Sequence, residues 1–192
     1  MTESGESFPE SPNDEAELVA CIAGRDEQAF RTAIERHAPL LHRIAYRMMS
    51  DAHEAEDIAQ EAMLRLWDHA PRLDARSGVK LAPWLKRVTV NLAIDRLRIA
   101  KRNSDSEVPD RADETPLADA QIEANEEGAE ARALIASLPD RQRAAIVLTY
   151  YEELPNAEAA DALDMNIKAF ESLLHRARAA LRKSFEARGD AA

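Results

Sequence analysis

Residues 156–183 read NAEAADALDMNIKAFESLLHRARAALRK. Ala157, Ala160 and Leu163 make the apolar face of a short helix, a turn falls at Asp164 to Asn166, and a long helix starts at Ile167. On a helical wheel Ile167, Phe170, Leu173, Leu174, Ala177 and Leu181 point inward, while Lys168, Ser172, His175, Arg176, Ala179 and Lys183 share the outward side. A short helix, a tight turn and a second helix with a basic, small-polar outer face is the helix-turn-helix pattern, whose second helix enters the major groove of DNA. Small side chains such as Ser172 and Ala179 permit close approach to base edges, and Arg176 can donate to a guanine or to a phosphate. The whole chain nevertheless carries a formal net charge of −11.

That charge is segregated. Residues 1–19 hold six acids and no base, and residues 104–130 hold ten acids against Arg111 alone. Residues 75–103 hold eight bases against Asp95, and residues 166–188 hold six bases against Glu171 and Glu186. The acidic segment between the two basic helices has prolines, no aromatic residue and little to bury, so it is expected to be a flexible linker. The chain therefore divides into an acidic tail (1–14), a first helical domain (15–103), a linker (104–127) and a second helical domain (128–188). With five Gly, abundant Ala, Leu, Arg and Glu, and no sustained alternation of β-branched residues, the fold class is all-α.

Immediately before the quoted stretch, LPDRQRAAIVLTYYEEL (138–154) supplies the helix that precedes the motif, with Asp140 as its candidate cap and Ala144, Val147, Leu148 and Tyr151 inward. In the first domain, Phe30, Ile34, Leu40, Ile44 and Met48 predict one apolar stripe, and Pro39 predicts a bend or a helix restart. EAEDIAQEAMLRLWDHA (54–70) places Ile58, Ala59, Ala62, Met63 and Leu66 on a core face. Asp57, Gln60, Glu61 and Leu64 fall on the other side, where a leucine among acceptors is either a stray solvated residue or part of a docking surface for a protein.

LAPWLKRVTVNLAIDRLRIAKR (81–102) buries Leu85, Val88, Leu92 and Ile99 and sets Trp84, Arg87, Asn91, Asp95, Arg98 and Arg102 along an adjacent face. Guanidinium groups hold phosphates and an aromatic ring can stack on an unpaired base, so this stripe suits nucleic acid, with Trp84 its weak member because a lone Trp in a helix is more often core than stacking platform. The preceding loop, with Arg72, Arg76, Ser77 and Lys80, has the polarity to hold a flipped base.

In order and spacing these blocks resemble those of bacterial RNA polymerase sigma factors of the two-domain, extracytoplasmic-function type. The resemblance rests on EAEDIAQEAMLRLW, WLKRVTVNLAIDRLR, and LPDRQRAAIVLTYYEEL followed by AEAADAL and LHRARAAL. It implies that residues 15–103 are sigma region 2 and residues 128–188 are region 4. It implies that Asp57, Gln60, Glu61 and Leu64 dock on the clamp helices of the largest subunit of core RNA polymerase. It further implies that Arg76, Ser77, Lys80, Trp84, Arg87, Asn91, Arg98 and Arg102 open and hold the −10 promoter element. Lys168, Ser172, His175, Arg176 and Lys183 would then read the −35 element in duplex DNA. An anti-sigma factor that holds the protein inactive is a further implied partner. This chain departs from the family at Asp164, where Gly is common, and at Glu171 and Leu173, where a Lys and an Arg are common, so fewer phosphate contacts are expected at the start of the last helix.

A helix-turn-helix regulator that binds duplex operators without polymerase is the alternative, and a mimic that titrates a sigma factor's partners is another. An enzyme is disfavoured, because there is no phosphate-binding glycine loop and no nucleophile motif. No metal is expected either: His37 and His42 do not share a helical face, and His53 with Asp57 has no third ligand nearby. No cofactor is implied. One cysteine, Cys21, excludes an internal disulfide, and the acidic N-terminus lacks the pattern of an export signal. A cytoplasmic protein without membrane insertion is expected.

Overall fold

The computed structural model describes residues 13–73, 80–104 and 126–189. Among them there are helices and no strands: α1 (Asn13–Ala23), α2 (Glu27–Met49), α3 (Ala52–His69), a 3-10 turn (Ala70–Arg72), α4 (Leu81–Ser104), α5 (Glu126–Ala136), α6 (Asp140–Ile146) continued by a π-turn (Val147–Tyr151), α7 (Asn156–Ala162) and α8 (Ile167–Gly189). The acidic tail and the linker lie almost wholly outside the described residues.

Short polar residues set the ends of the N-terminal helices. Asp26 accepts from the backbone N–H of Gln28 (2.8 Å) and Ala29 (3.1 Å), which starts α2. Ser50, at φ 56, ends it by donating its N–H to the Tyr46 carbonyl (2.8 Å), and Asp51 caps α3 through the N–H of Glu54 (3.0 Å). Over a longer range, Glu15 of α1 accepts from the N–H of Leu81 (3.2 Å), so a carboxylate from another helix satisfies the first turn of α4.

For α2 the structure excludes one of the two outcomes expected at Pro39 and corrects the apolar stripe. The helix is continuous through Pro39, so no restart occurs. Pro39 is exposed, which leaves the carbonyl deprived of its partner facing water, and burial on the opposite side holds the helix together. That buried side is Ala29, Ala33, His37, Leu41, Ile44, Ala45 and Met48, whereas Ile34 is exposed and Phe30 is only half-buried, tilted against Trp67 at 4.9 Å. Alanines form the face because neighbouring helices approach α2 there.

His37 is buried and its Nε2 has no hydrogen-bond partner among the described residues. Burial pushes its pKa below 6.5; Glu15 opposes this and Arg36 adds to it. A folded-state pKa below the unfolded one means that the unfolded chain takes up the proton first as pH falls. Stability is therefore full above pH 6.5 and is lost as pH drops below it towards the folded value. Thermal melts between about pH 7.5 and 5.5 should show Tm falling by a few degrees, and His37→Leu should flatten that fall. An equal fall in the variant would assign the effect to other groups.

Buried apolar residues from both ends of the chain, Leu18 to Ala177, make one continuous cluster. Besides its neighbours α2 and α3, α4 packs against α6 and α7, and α2 packs against the π-turn and α5. Arg143, only 8% exposed, donates from Nη1 to the Met48 carbonyl (2.6 Å) and from Nη2 to the Ala136 carbonyl, tying the end of α2 to α5 and α6. Burial lowers its pKa and Asp140 opposes the fall; an arginine starts so high that it stays charged.

Candidate nucleic-acid interface

Three surfaces contain the residues singled out in the sequence. On α3, Ile58, Ala59, Ala62, Met63 and Leu66 are all buried, and this turns Asp57, Gln60, Glu61 and Leu64 to the other side. Leu64 is 59% exposed, so it has no core to join. Gln60 donates to Glu56 (3.1 Å). Glu61 is more constrained than expected: it accepts from Arg65 (2.7 Å) and from Arg96 of α4 (3.4 Å), and Arg96 also holds Glu54 (2.9 Å). Desolvation works against the Arg96 charge, but Glu54 and Glu61 outweigh it and raise the pKa. This cross-helix network was missed because Arg96 lies off the stripe that periodicity picked out.

On α4 the expected stripe is brought together in part. Arg87, Arg98 and Arg102 are exposed, and Asn91 is half-buried. Arg98 sits 3.7 Å from Asp95, and with Ile99, Lys101 and Arg102 these two line a shallow groove. Trp84 is half-buried against the core, its ring tilted 6.0 Å from that of His69, which is a packing position with one edge open. Lys80 is exposed at the head of the helix; Arg76 and Ser77 lie outside the described residues. Ile99, expected in the core, is 44% exposed. Instead Thr89, Val90, Ala93 and Ile94 are buried together with Leu85 and Leu92, so more of the helix is covered than one stripe requires.

The helix-turn-helix is α7–turn–α8. Ala159, Ala160, Ala162 and Leu163 are its buried face, and Ala157, expected inside, is exposed. Asp164 stands at φ 53, the left-handed conformation for which Gly is the usual choice and which Asp tolerates. Three contacts fix the turn: Met165 N–H to the Ala160 carbonyl (2.9 Å), Arg141 Nη2 to the Leu163 carbonyl (2.7 Å), and Asn166, which caps α8 through the N–H of Ala169 (2.9 Å). Asp140 does not cap α6; it is the first helical residue after Pro139 and makes no side-chain cap. Along α8, Phe170, Leu173, Leu174 and Ala177 are buried, and Lys168, Ser172, His175, Arg176 and Lys183 are all exposed. Ile167 is 45% exposed rather than inward, since the first turn of α8 extends past the core. Ser172 donates to the Lys168 carbonyl (2.9 Å) and Arg176 Nε to the Ser172 carbonyl (3.3 Å), contacts that a ligand can displace at little cost.

An all-helical chain with a capped helix-turn-helix and a second basic helix is the class of protein that this arrangement defines. The Sigma-70 region 2 family matches residues 33–103, and the Sigma-70, region 4 family matches residues 129–181. The chain belongs to the extracytoplasmic-function (ECF) RNA polymerase sigma factors. It is 32% identical to the ECF RNA polymerase sigma factor SigW of Bacillus subtilis over 82% of this chain and 89% of that one. It is 34% identical to SigM of Mycobacterium tuberculosis over 87% and 82% of the two chains. Its fold is that of CnrH, solved in complex with the cytosolic domain of CnrY (TM-score 0.65, 24% identity, 90% of this chain and 97% of that one). It is also that of RpoE, solved with the anti-sigma factor NepR from Bartonella quintana (TM-score 0.65, 22% identity, 82% and 96%). Membership of the sigma family sets aside the reading as a regulator that works without polymerase. Among the described residues no helix is long and apolar enough to cross a membrane.

Proposed function

We propose that this sigma factor docks on the clamp helices of core RNA polymerase through Asp57, Gln60, Glu61 and Leu64. It holds the opened −10 element along α4 with Lys80, Trp84, Arg87, Asn91, Arg98 and Arg102, joined by Arg76 and Ser77. It reads the −35 element with Lys168, Ser172, His175, Arg176 and Lys183, and residues 15–103 and 128–188 act as its two working units. It works in the cytoplasm without catalytic chemistry or cofactor of its own, and an anti-sigma factor holds it inactive until a signal arrives. Leu64 carries this reading: a leucine 59% exposed among acceptors on α3 has no core to join, and docking on a protein surface would bury it.

Run-off transcription on genomic fragments with purified core polymerase tests it, and discrete start sites should appear only when the protein is added. Arg176→Ala should lower initiation at −35-dependent promoters about tenfold while leaving core binding intact, the loss expected for one direct DNA contact. Loss of core binding in that variant would overturn the assignment of α8. Pull-downs from unstressed cells should recover one stoichiometric partner besides polymerase, and failure to find it would remove the anti-sigma proposal.

A further inference from the structure

The residue at the head of α4 is a poor start for a helix. Lys80, whose carbonyl accepts the first helical bond from the N–H of Trp84 (3.4 Å), is exposed, has no side-chain acceptor to cap the helix, and carries a charge that the positive end of the helix dipole disfavours. Of the N–H groups that follow it, Pro83 has none, and that of Leu81, a residue 0% exposed, has no acceptor within its own helix. Glu15 supplies one from 66 residues away: its Oε2 accepts from Leu81 at 3.2 Å and brings a negative charge to the helix end that favours one.

Glu15 can hold this place because α1 is itself anchored. Leu18, Val19 and Ile22 are buried, and α1 packs against α2, α3, α4 and the 3-10 turn Ala70–Arg72. It therefore touches the chain on both sides of residues 73–80, at the 3-10 turn before them and at Leu81 after them. Burial lowers the pKa of His37 and Glu15 opposes the fall, so the same carboxylate also bears on α2. Lys80 precedes the pinned N–H by one residue and Trp84 follows it by three, so both lie within a turn of it.

We propose that Glu15 is a positioning residue for promoter opening: from α1 it fixes the first turn of α4, and with it the places from which Lys80 and Trp84 meet the unpaired −10 strand. The proposal rests on the reading of α4 as the −10 helix. An acidic cap at residue 80 itself would stabilise the helix locally and repel DNA phosphates. Placing the acid on α1, half-buried, leaves the head of α4 free for a cation. Without the pin the first turn frays, as helix ends with unsatisfied N–H groups do. Lys80 and Trp84 then lose their fixed places, while docking through α3 and −35 reading through α8 are untouched.

Three variants of the full chain test it in holoenzyme assembled with core polymerase, on a promoter found by run-off transcription. Glu15→Leu removes acceptor and charge, Glu15→Asp keeps the charge but withdraws the acceptor by one methylene, and Glu15→Gln keeps an acceptor at the same reach. Permanganate reactivity of unpaired −10 thymines should show opening about tenfold weaker for Glu15→Leu, nearly as weak for Glu15→Asp, and within about threefold of the parent for Glu15→Gln, as expected for one lost helix cap. Core affinity and closed-complex formation on duplex DNA at low temperature should change less than about twofold in all three, since those surfaces are distant from Glu15. In the free protein, hydrogen exchange at the Leu81 amide should quicken about tenfold with Leu and with Asp and stay near the parent's with Gln. Opening and exchange that match the parent in Glu15→Leu and Glu15→Asp would overturn the proposal. So would core affinity, closed complex and opening lost in equal proportion, which would make Glu15 a support of the fold alone. If Glu15→Leu does not fold, the ranking of Asp below Gln decides, and the reverse ranking overturns the proposal. Arg98→Ala keeps the two readings apart. Should it open the promoter as fully as the parent, the assignment of α4 falls and the proposal with it; opening lost with Arg98→Ala but kept with Glu15→Leu overturns the proposal alone.

Discussion

Leu64→Glu is expected to weaken binding to core RNA polymerase about a hundredfold while leaving the fold unchanged. The estimate has two parts: an exposed leucine buried on docking contributes about 1.5–3 kcal/mol, and a carboxylate in its place must be desolvated against a surface shaped for an alkyl group. Together these approach the 2–4 kcal/mol typical of an interface hot spot, or roughly two orders of magnitude. Leu64 is the cleanest probe among its four neighbours because it is 59% exposed and supports nothing else. Glu61, by contrast, anchors Arg65 and Arg96, so its replacement would disturb the junction of α3 with α4 as well as any docking face. Titration of labelled core polymerase with the variant reads the affinity directly, and circular dichroism should superpose on that of the unmodified protein. A variant that binds core as tightly as the parent would leave the exposed leucine a stray and remove the α3 surface from the mechanism.

The register of α8 could be read from residues alone because its buried positions are bulky and spaced by three and four, with charges between them. Phe170, Leu173, Leu174 and Ala177 are inside as expected, and each residue of α8 proposed for DNA is exposed, although Ile167, also expected inside, is 45% exposed. The same method misplaced the face of α2, whose core side is built from alanines and His37 while Ile34 faces out. Periodicity weights hydrophobicity, but close helix packing selects small size. On α4 the second buried side, Val90 and Ile94, was invisible because the helices that cover it lie more than forty residues further along the chain. Arg143 went unnoticed for a related reason. A guanidinium is expected in solvent, and only the carbonyls of Met48 and Ala136, distant in sequence from each other, make an interior site for it. Local pattern thus set element type and the outward face of α8, and tertiary contacts decided the buried face of α2 and which side of α4 is covered as well.

Phe170→Ala is expected to cost about 3–5 kcal/mol, the largest stability effect of any single change considered for this protein. Phe170 is 0% exposed and belongs to the apolar cluster that joins α6, α7 and α8. A domain of roughly sixty residues has a total stability of the same order, so the C-terminal helices should be largely unfolded at 37 °C in the variant. The N-terminal helices have their own caps at Asp26 and Asp51 and their own buried face on α3, so they should survive the change. Core polymerase should therefore still be bound through Leu64, and initiation at −35-dependent promoters should be lost. Arg176→Ala, six residues along on the exposed side of the same helix, should lose recognition without losing the melting transition. Calorimetry also bears on how closely the two halves are coupled. If Val90 and Ile94 are covered by α6 and α7, removing Phe170 should lower the melting temperature of the N-terminal helices by a few degrees as well. An N-terminal transition unmoved by Phe170→Ala would mean that the side of α4 carrying Val90 and Ile94 does not depend on the C-terminal helices for its stability.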